Sequence, residues 1–210
     1  MSSLPITTPD GLEPVWDIAT LYPSQGDWSE EAYLSLTDST NRLIEFTDGR
    51  VEFLEMPTEA HQLIMAFLFE ALRNFVRDRD AGLVLFMGLR VRVRPSMVRE
   101  PDVVFIAKEN YGRRSNRYWS GADLVMEVVS PDDKSRDRDH RQKVEDYAEG
   151  KIPEYWIVDP QQQTIEVLKY SDAHRAYERH GVYRRGDSAA SVRLPGFALD
   201  VSSVFDAVNC

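Results

Sequence analysis

The sequence is poor in cysteine, in long apolar runs and in the signals of an exported chain. Its only cysteine is Cys210, so no disulfide can form within the chain, and we expect a reducing, cytoplasmic location. No apolar run approaches the roughly 20 residues that cross a bilayer, so we expect no membrane partner. The N-terminal stretch lacks a basic region followed by an apolar one, so we do not expect a signal peptide.

The sequence also lacks net positive charge. Its net charge of −10 argues against a protein that coats nucleic acid without specificity. Residues 90–143 nevertheless hold 13 Lys and Arg against 9 Asp and Glu, a local balance of +4. The basic side chains are therefore concentrated in the middle of the chain, although soluble proteins often show such unevenness. Zinc-ligand spacing, a Walker loop and a nucleophilic triad are absent, which excludes the site classes that depend on them.

The length of 210 residues fits one domain with a short extension. Residues 1–28 are rich in proline and glycine and predict an irregular arm, and residues 29–210 form the predicted domain. A helix is expected at 29–36, and Asp48-Gly49 predicts a hairpin. The clearest helix follows Thr58, its predicted N-cap, and has one broad apolar face. One or two helical turns are expected at 201–207.

Short apolar segments predict the sheet. An extended run covers 83–95, and buried strands are expected in PDVVFIA, DLVMEVVS and YWIVDP. A polar helix is predicted at about 135–149, ended by Gly150, and the segments after residue 163 suggest antiparallel strands. A mixed sheet with helices packed on it indicates an α/β or α+β class.

Two acidic residues stand in apolar segments. Glu127 lies inside Leu124–Val129, where a buried carboxylate is unfavourable unless a cationic side chain or a metal ion pairs with it. Asp102 opens another short apolar segment after Pro101, a residue that suits the entrance of a strand. Two strands that each supply one carboxylate favour a hard cation, magnesium or manganese. The alternatives are a buried salt bridge or a solvent-facing edge strand at Glu127, and a loop cap at Asp102.

Lys143 lies on the predicted helix after the Glu127 strand. Asp139, Asp146 and Tyr147 share its helical face by spacing. Taken alone, Lys143 is therefore explained by a surface ion pair with one of these aspartates. Lys143 becomes a candidate site residue only through its position in an ordered set of motifs.

That order resembles a known family. Pro101-Asp102, Glu127-Val128-Val129-Ser130-Pro131, Lys143 with Tyr147 and Gly150, and Glu154-Tyr155-Trp156-Ile157-Val158-Asp159-Pro160 are similar to the Uma2 family of restriction-endonuclease-like proteins, once catalogued as a domain of unknown function. The Gly49 hairpin and the Met56-Pro57…His61 helix start add to the likeness. The resemblance covers roughly residues 28–200, and the ordered set carries it rather than any single motif.

The resemblance implies a PD-(D/E)XK nuclease fold and a metal-dependent endonuclease acting on nucleic acid, DNA in the first place. Asp102 and Glu127, with the backbone carbonyl near Val128, would hold Mg²⁺ or Mn²⁺. Val129 occupies the position of the usual lysine, and the resemblance transfers that role to Lys143. A homodimer is expected by analogy with restriction enzymes.

Further residues are assigned with alternatives left open. In related folds an acidic residue on the first core helix assists the metal, so Glu59 and His61 are candidates and Glu45 competes with them. Complementarity to the helix dipole is the alternative for Glu59, and half-buried packing is the alternative for His61. Phosphate contacts are predicted for six arginines, with a solvated edge strand as the alternative for the first three: Arg90, Arg92, Arg94, Arg136, Arg138 and Arg141.

The sequence is compatible with three functions. The first is the nuclease. The second is a catalytically weak or inactive nuclease fold that binds a partner or nucleic acid, a possibility that the missing lysine at position 129 keeps open. The third is a metal-dependent hydrolase of a small phosphorylated molecule.

Overall fold

A computed structural model describes residues 21–130 and 141–209. The first part of the predicted arm, residues 1–20, lies outside that range, as do Asp139, Arg136, Arg138 and Cys210. No helix in the described ranges combines the length and apolarity needed to cross a membrane.

The N-terminal half of the domain builds a four-stranded sheet. Helix α1 (Glu30–Asp38) precedes a hairpin of β1 (Ile44–Thr47) and β2 (Arg50–Phe53). Asp48 and Gly49 both have positive φ, 44° and 82°, as the predicted two-residue turn requires. Strands β4 (Val91–Arg94) and β5 (Met97–Arg99) complete the order β2-β1-β5-β4, with every pair antiparallel.

A six-stranded sheet carries the second half of the domain and consists of β3 (Gly82–Phe86), β6 (Val103–Ala107), β7 (Leu124–Val128), β8 (Glu154–Asp159), β9 (Thr164–Ser171) and β10 (Ala176–Arg184). The strand order is β10-β9-β8-β7-β6-β3. Only β7 and β8 run parallel within it; the other neighbours are antiparallel. This mixed sheet with flanking helices confirms the predicted fold class.

Helices cover both faces of this sheet. The long helix α2 (Glu59–Asp78) begins at the predicted cap, because Thr58 Oγ1 accepts a hydrogen bond from His61 N at 3.2 Å. Its apolar face packs on Val103, Phe105 and the neighbouring strands. Helix α3 (Lys143–Glu149) joins parallel β7 to β8 and packs Tyr147 on the opposite face. Parallel neighbours need such a crossover.

Short elements follow β10. Strands β11 (Ser188–Ala190) and β12 (Ala198–Asp200) pair antiparallel, and helix α4 (Val201–Asp206) packs beside α2. Short 3₁₀ helices span Lys108–Arg113 and Ala207–Asn209. The predicted extended run at 83–95 is divided by a turn at Met87-Gly88, so that β3 and β4 belong to different sheets.

Candidate active site

Register places the two predicted carboxylates side by side. In the antiparallel β6–β7 pair Val103 stands opposite Met126, and Asp102 and Glu127 are the next residues along the two strands at this end of the sheet. On its other side Asp102 continues the β3–β6 pairing, because Met87 N donates to Asp102 O at 2.9 Å. Directly opposite residues have Cβ atoms about 5 Å apart. The two acids therefore face one small volume at this end of the sheet.

Asp102 is held from two sides. One oxygen, Oδ1, lies 3.0 Å from Nε2 of His61, and the other, Oδ2, accepts a hydrogen bond from Val128 N at 2.7 Å. The 5% exposure of Asp102 means that these partners, rather than bulk water, stabilise its charge. His61 thus belongs to the candidate site and is not merely a packing residue of α2.

Glu127 is held by helix α3. Lys143 Nζ lies 2.8 Å from Oε2, and the Tyr147 hydroxyl donates to Oε1 at 2.5 Å. Lys143 and Tyr147 are four residues apart, so both side chains leave α3 on one face. All three side chains are buried, with exposures of 4% or less. The buried salt bridge that the strand pattern allowed is present, and its cation is the lysine that the family resemblance selected.

Protonation of the site depends on the same contacts. Burial alone would lower the pKa of His61, but the hydrogen bond and charge of Asp102, reinforced by the charge of Glu127, raise it above its usual value. Burial, followed by the charge of Glu127, raises the pKa of Tyr147 well above the ordinary range. Tyr147 therefore stays a neutral hydrogen-bond donor at any ordinary pH.

A second buried ionic group adjoins the first. Arg99 donates to Asp146 Oδ2 from Nε at 3.0 Å and from Nη2 at 2.7 Å, and its Nε lies 3.7 Å from Glu45 Oε2. Glu45 Oε1 accepts from Glu100 N at 3.2 Å. Sequence reasoning missed Arg99 and Asp146 as partners. The spacing of Asp146 from Lys143 was the available signal, but it suggested an ion pair with Lys143 instead.

The remaining candidates occupy other positions. Glu59 is exposed in the first turn of α2. Three of the arginines form ion pairs with side chains of other elements: Arg90 with Asp38 at 2.8 Å, Arg92 with Glu30 at 3.1 Å, and Arg94 with Asp48 at 2.8 Å and Glu149 at 2.5 Å. Arg141 is exposed just before α3. Phosphate contact by any of these side chains stays a prediction.

The two carboxylates suit an ion such as Mg²⁺, which keeps water in its coordination shell, better than an ion that needs a full set of protein ligands. Within residues 21–130 and 141–209, no group of three or more His, Cys, Asp or Glu side chains has the arrangement to hold a metal. Mg²⁺ is commonly bound by one or two carboxylates, with water and substrate phosphate completing its shell. A carboxylate oxygen that accepts one hydrogen bond keeps a further lone pair. Asp102 and Glu127 are therefore suitable as the two protein carboxylates.

Comparison with known proteins identifies the family. A family model described as "Uma2: Putative restriction endonuclease" matches residues 30–202. The chain belongs to the Uma2 family. A solved structure of "a putative nuclease belonging to DUF820" from Anabaena variabilis ATCC 29413 superposes on this Uma2 domain with a TM-score of 0.65 at 17% identity, covering 80% of this chain and 93% of that chain. At this identity the likeness shows the fold.

A second solved structure, the type IIG restriction endonuclease BpuSI, also shares 17% identity with the Uma2 domain. Its TM-score is 0.38, and the match covers 75% of this chain and 18% of that one. No curated protein matches the chain. Family membership and fold together make this a restriction-endonuclease-like protein.

Proposed function

We propose that this Uma2 protein is a Mg²⁺- or Mn²⁺-dependent endonuclease that hydrolyses phosphodiester bonds of DNA. The observation that carries the proposal is that Asp102 and Glu127 lie next to the paired residues Val103 and Met126, with Lys143 on Glu127 and His61 on Asp102. Restriction-endonuclease-like proteins generally use divalent ions. A reducing, cytoplasmic location and a homodimer, suited to cutting two strands, complete the proposal.

Each side chain has a defined task in this proposal. Asp102 and Glu127 would hold the metal, with the Val128 carbonyl as a further candidate ligand. Bound there, the ion would lower the pKa of a water molecule and neutralise charge on the reacting phosphate. Val128 N–H and His61 fix the Asp102 carboxylate. Lys143 keeps a cation beside Glu127, where it would stabilise the negative charge that develops at phosphorus.

Plasmid cleavage tests the proposal. The full chain is expected to nick or linearise supercoiled DNA with Mg²⁺ or Mn²⁺ and to do nothing in EDTA. Asp102→Asn and Glu127→Gln keep the side-chain shapes but remove the negative charges, and we expect each to reduce cleavage at least about 100-fold, as losses of catalytic groups commonly do. The matched control is Asp123→Asn, another buried aspartate, which binds Ala107 N and Asn110.

Two results would contradict the nuclease assignment: absence of cleavage by the folded wild-type chain, or cleavage that survives in both carboxylate variants. Retained function with the control variant shows that loss at positions 102 and 127 is not a general effect of removing a buried acid. The same assays on circular single-stranded RNA and DNA determine which nucleic acid is cut.

Binding without cleavage is the second candidate, and one observation favours it. Both oxygens of Glu127 already have protein partners, Lys143 and Tyr147, which together satisfy the carboxylate without a metal. Calorimetry with Mn²⁺ separates the two functions. A nuclease site requires Mn²⁺ binding that Glu127→Gln weakens, whereas a binding module predicts no heat of metal binding.

A further inference from the structure

A groove beside Asp102 is not used by the proposed metal site. Leu85 and Leu89 on its wall flank Met87, the residue whose N–H bonds to the Asp102 backbone. Leu85 of β3 pairs with Val104 of β6, and Asp102 lies two residues before Val104 in the chain. The Cα atoms of Leu85 and Asp102 are therefore about 8 Å apart. Leu85, Leu89, Val104 and Tyr147 belong to one apolar cluster, which places the groove and helix α3 on the same face of the six-stranded sheet.

The groove has the size and chemistry of a binding site for a flat, polar ring. Its volume is about 420 Å³, within the roughly 300–1,000 Å³ of common ligand sites. Leucines form the wall, Trp119 is buried in it, and Ser115 and Asn116 supply exposed polar groups at the rim. The remaining lining residues are Tyr111 and Arg114.

Arg114 forms a stacking platform in this groove. Its guanidinium carbon lies 4.4 Å from the ring centre of Tyr111 and 6.0 Å from that of Trp119. The side chain is exposed, and no carboxylate pairs with it in the described parts of the chain. Arg117 in the same loop differs, because it pairs with Glu31 and Asp38. Bases of unpaired nucleic acid stack on aromatic rings and on arginine planes of this kind.

The loop around the groove is basic in an acidic protein. Residues 108–120 contain four Lys and Arg against one Glu, while the whole chain has a net charge of −10. Two of these cations have carboxylate partners: Lys108 pairs with Asp80, and Arg117 pairs with Glu31. The local positive charge at Arg113 and Arg114 therefore complements an anion with an attached ring, which describes a nucleotide.

We propose that this groove receives one unstacked base of a single-stranded DNA substrate, next to the phosphodiester that the metal site would cut. The inference rests on the proposed function for the identity of the ligand. A base inside a duplex is stacked on both faces and cannot reach the Arg114 plane, so the groove selects single strands or opened ends.

Binding of a short single-stranded oligodeoxynucleotide carrying one 2-aminopurine tests the inference. The full chain is titrated in EDTA, so that no cleavage occurs, and both anisotropy and 2-aminopurine fluorescence are followed. Stacking should quench the fluorescence. Arg114→Ala and Arg114→Lys should each weaken binding about tenfold and abolish the quenching, because base stacking contributes strongly to such affinities and lysine lacks a plane.

Arg113→Ala is the matched control, since it removes the same charge from the same loop without removing the platform. It should weaken binding less than Arg114→Lys and keep the quenching. Replacing the 2-aminopurine by an abasic site should reduce the affinity of the wild-type chain to that of Arg114→Ala. The affinity of Arg114→Ala itself should be the same for both oligonucleotides. Equal thermal unfolding of all variants verifies that they are folded.

The inference is overturned if Arg114→Lys binds the oligonucleotide as tightly as wild type, or if Arg113→Ala and Arg114→Ala lose the same amount of affinity. It is overturned as well if the corresponding duplex binds as tightly as the single strand and its affinity falls equally in the Arg114 variants. It is also overturned if the wild-type chain binds no oligonucleotide. Cleavage of plasmid and of circular single-stranded DNA in the presence of Mn²⁺ is scored separately. Quenching without cleavage would contradict the nuclease and support the base site, whereas cleavage with Arg114-independent binding would contradict the base site alone.

Discussion

At the scale of single residues, Glu100 has the least favourable surroundings among the acids near the site. It is 6% exposed. Its Oε1 accepts only a long hydrogen bond from Ile44 N, 3.5 Å, and no described group bonds to Oε2. Burial, and then the charge of Glu45, raise its pKa to about 7, although the Ile44 N–H and Arg90 oppose the shift. The folded chain therefore holds a proton on Glu100 that the unfolded chain releases.

This shift makes the stability depend on pH in a defined direction. Because the folded pKa of about 7 exceeds the unfolded value of 4.5, the folded state binds more protons between these values, and the free energy of unfolding falls as pH rises through that window. Glu100→Gln removes the dependence. We expect the variant to gain about 2 kcal/mol relative to wild type between pH 5 and pH 8, measured by urea denaturation in EDTA.

Glu55→Gln is the control for this measurement, because Glu55 is an exposed glutamate just after β2. Glu55→Gln should not reproduce the gain that Glu100→Gln shows at pH 8. A gain at pH 8 of the same size in both variants, or no gain in Glu100→Gln, would contradict the assignment of the penalty to Glu100.

At the scale of elements, the end of helix α3 shows how packing against strand β4 requires a particular residue, glycine, at position 150. Gly150 ends α3 as predicted, but its φ of −74° is open to any residue. The requirement comes from close packing instead. A Cβ at this position would lie 2.5 Å from Val93 Cγ1 and 3.0 Å from Val93 O. Helix α3 can therefore approach β4 only if residue 150 has no side chain.

Gly150→Ala is expected to destabilise the protein by about 1–3 kcal/mol, the usual result of overpacking. Gly112→Ala provides the comparison, since no atom lies within 4 Å of a Cβ placed there. Thermal and urea unfolding of both variants measure the difference. Equal stability of the two would show that β4 and α3 move apart freely, and the packing explanation would then be wrong.

The same elements show what the sequence could predict. Thr58 and Asp48-Gly49 act through neighbours only a few residues away, so their cap and turn were predictable. Apolar segments identified β6 and β7 but not their register, and it is the Val103–Met126 pairing that brings Asp102 and Glu127 to the same end of the sheet. The partners of Arg90 and Arg94 are 46 to 55 residues away in the chain. Local pattern carries no information about such distant pairs.

At the scale of the whole molecule, α3 links the two sheets through buried charge. Lys143 and Tyr147 bind Glu127 of the six-stranded sheet, while Asp146 binds Arg99 of the four-stranded sheet. The chain passes directly from one sheet to the other through Glu100 and Pro101, immediately before Asp102. The candidate site therefore lies where the two sheets meet, and its geometry depends on how firmly α3 holds them together.

Two arginines allow that dependence to be measured, because both pair with acids of α3 and differ in burial. Arg99 is paired with Asp146 and its side chain is 3% exposed, whereas Arg94 is paired with Glu149 and is 29% exposed. Arg99→Met leaves Asp146 and Glu45 buried without their cation, so we expect a loss of about 3–5 kcal/mol in unfolding free energy. Arg94→Met breaks solvated pairs and should cost no more than about 1 kcal/mol. Urea denaturation of both variants at neutral pH measures the two losses. Nuclease activity is compared at a temperature where both variants remain folded. It should fall further in Arg99→Met, because Lys143 lies on α3, the helix that loses its contact with the four-stranded sheet. Similar losses in the two variants would mean that water reaches the Arg99 pair and that the contact between the sheets is held by apolar packing alone.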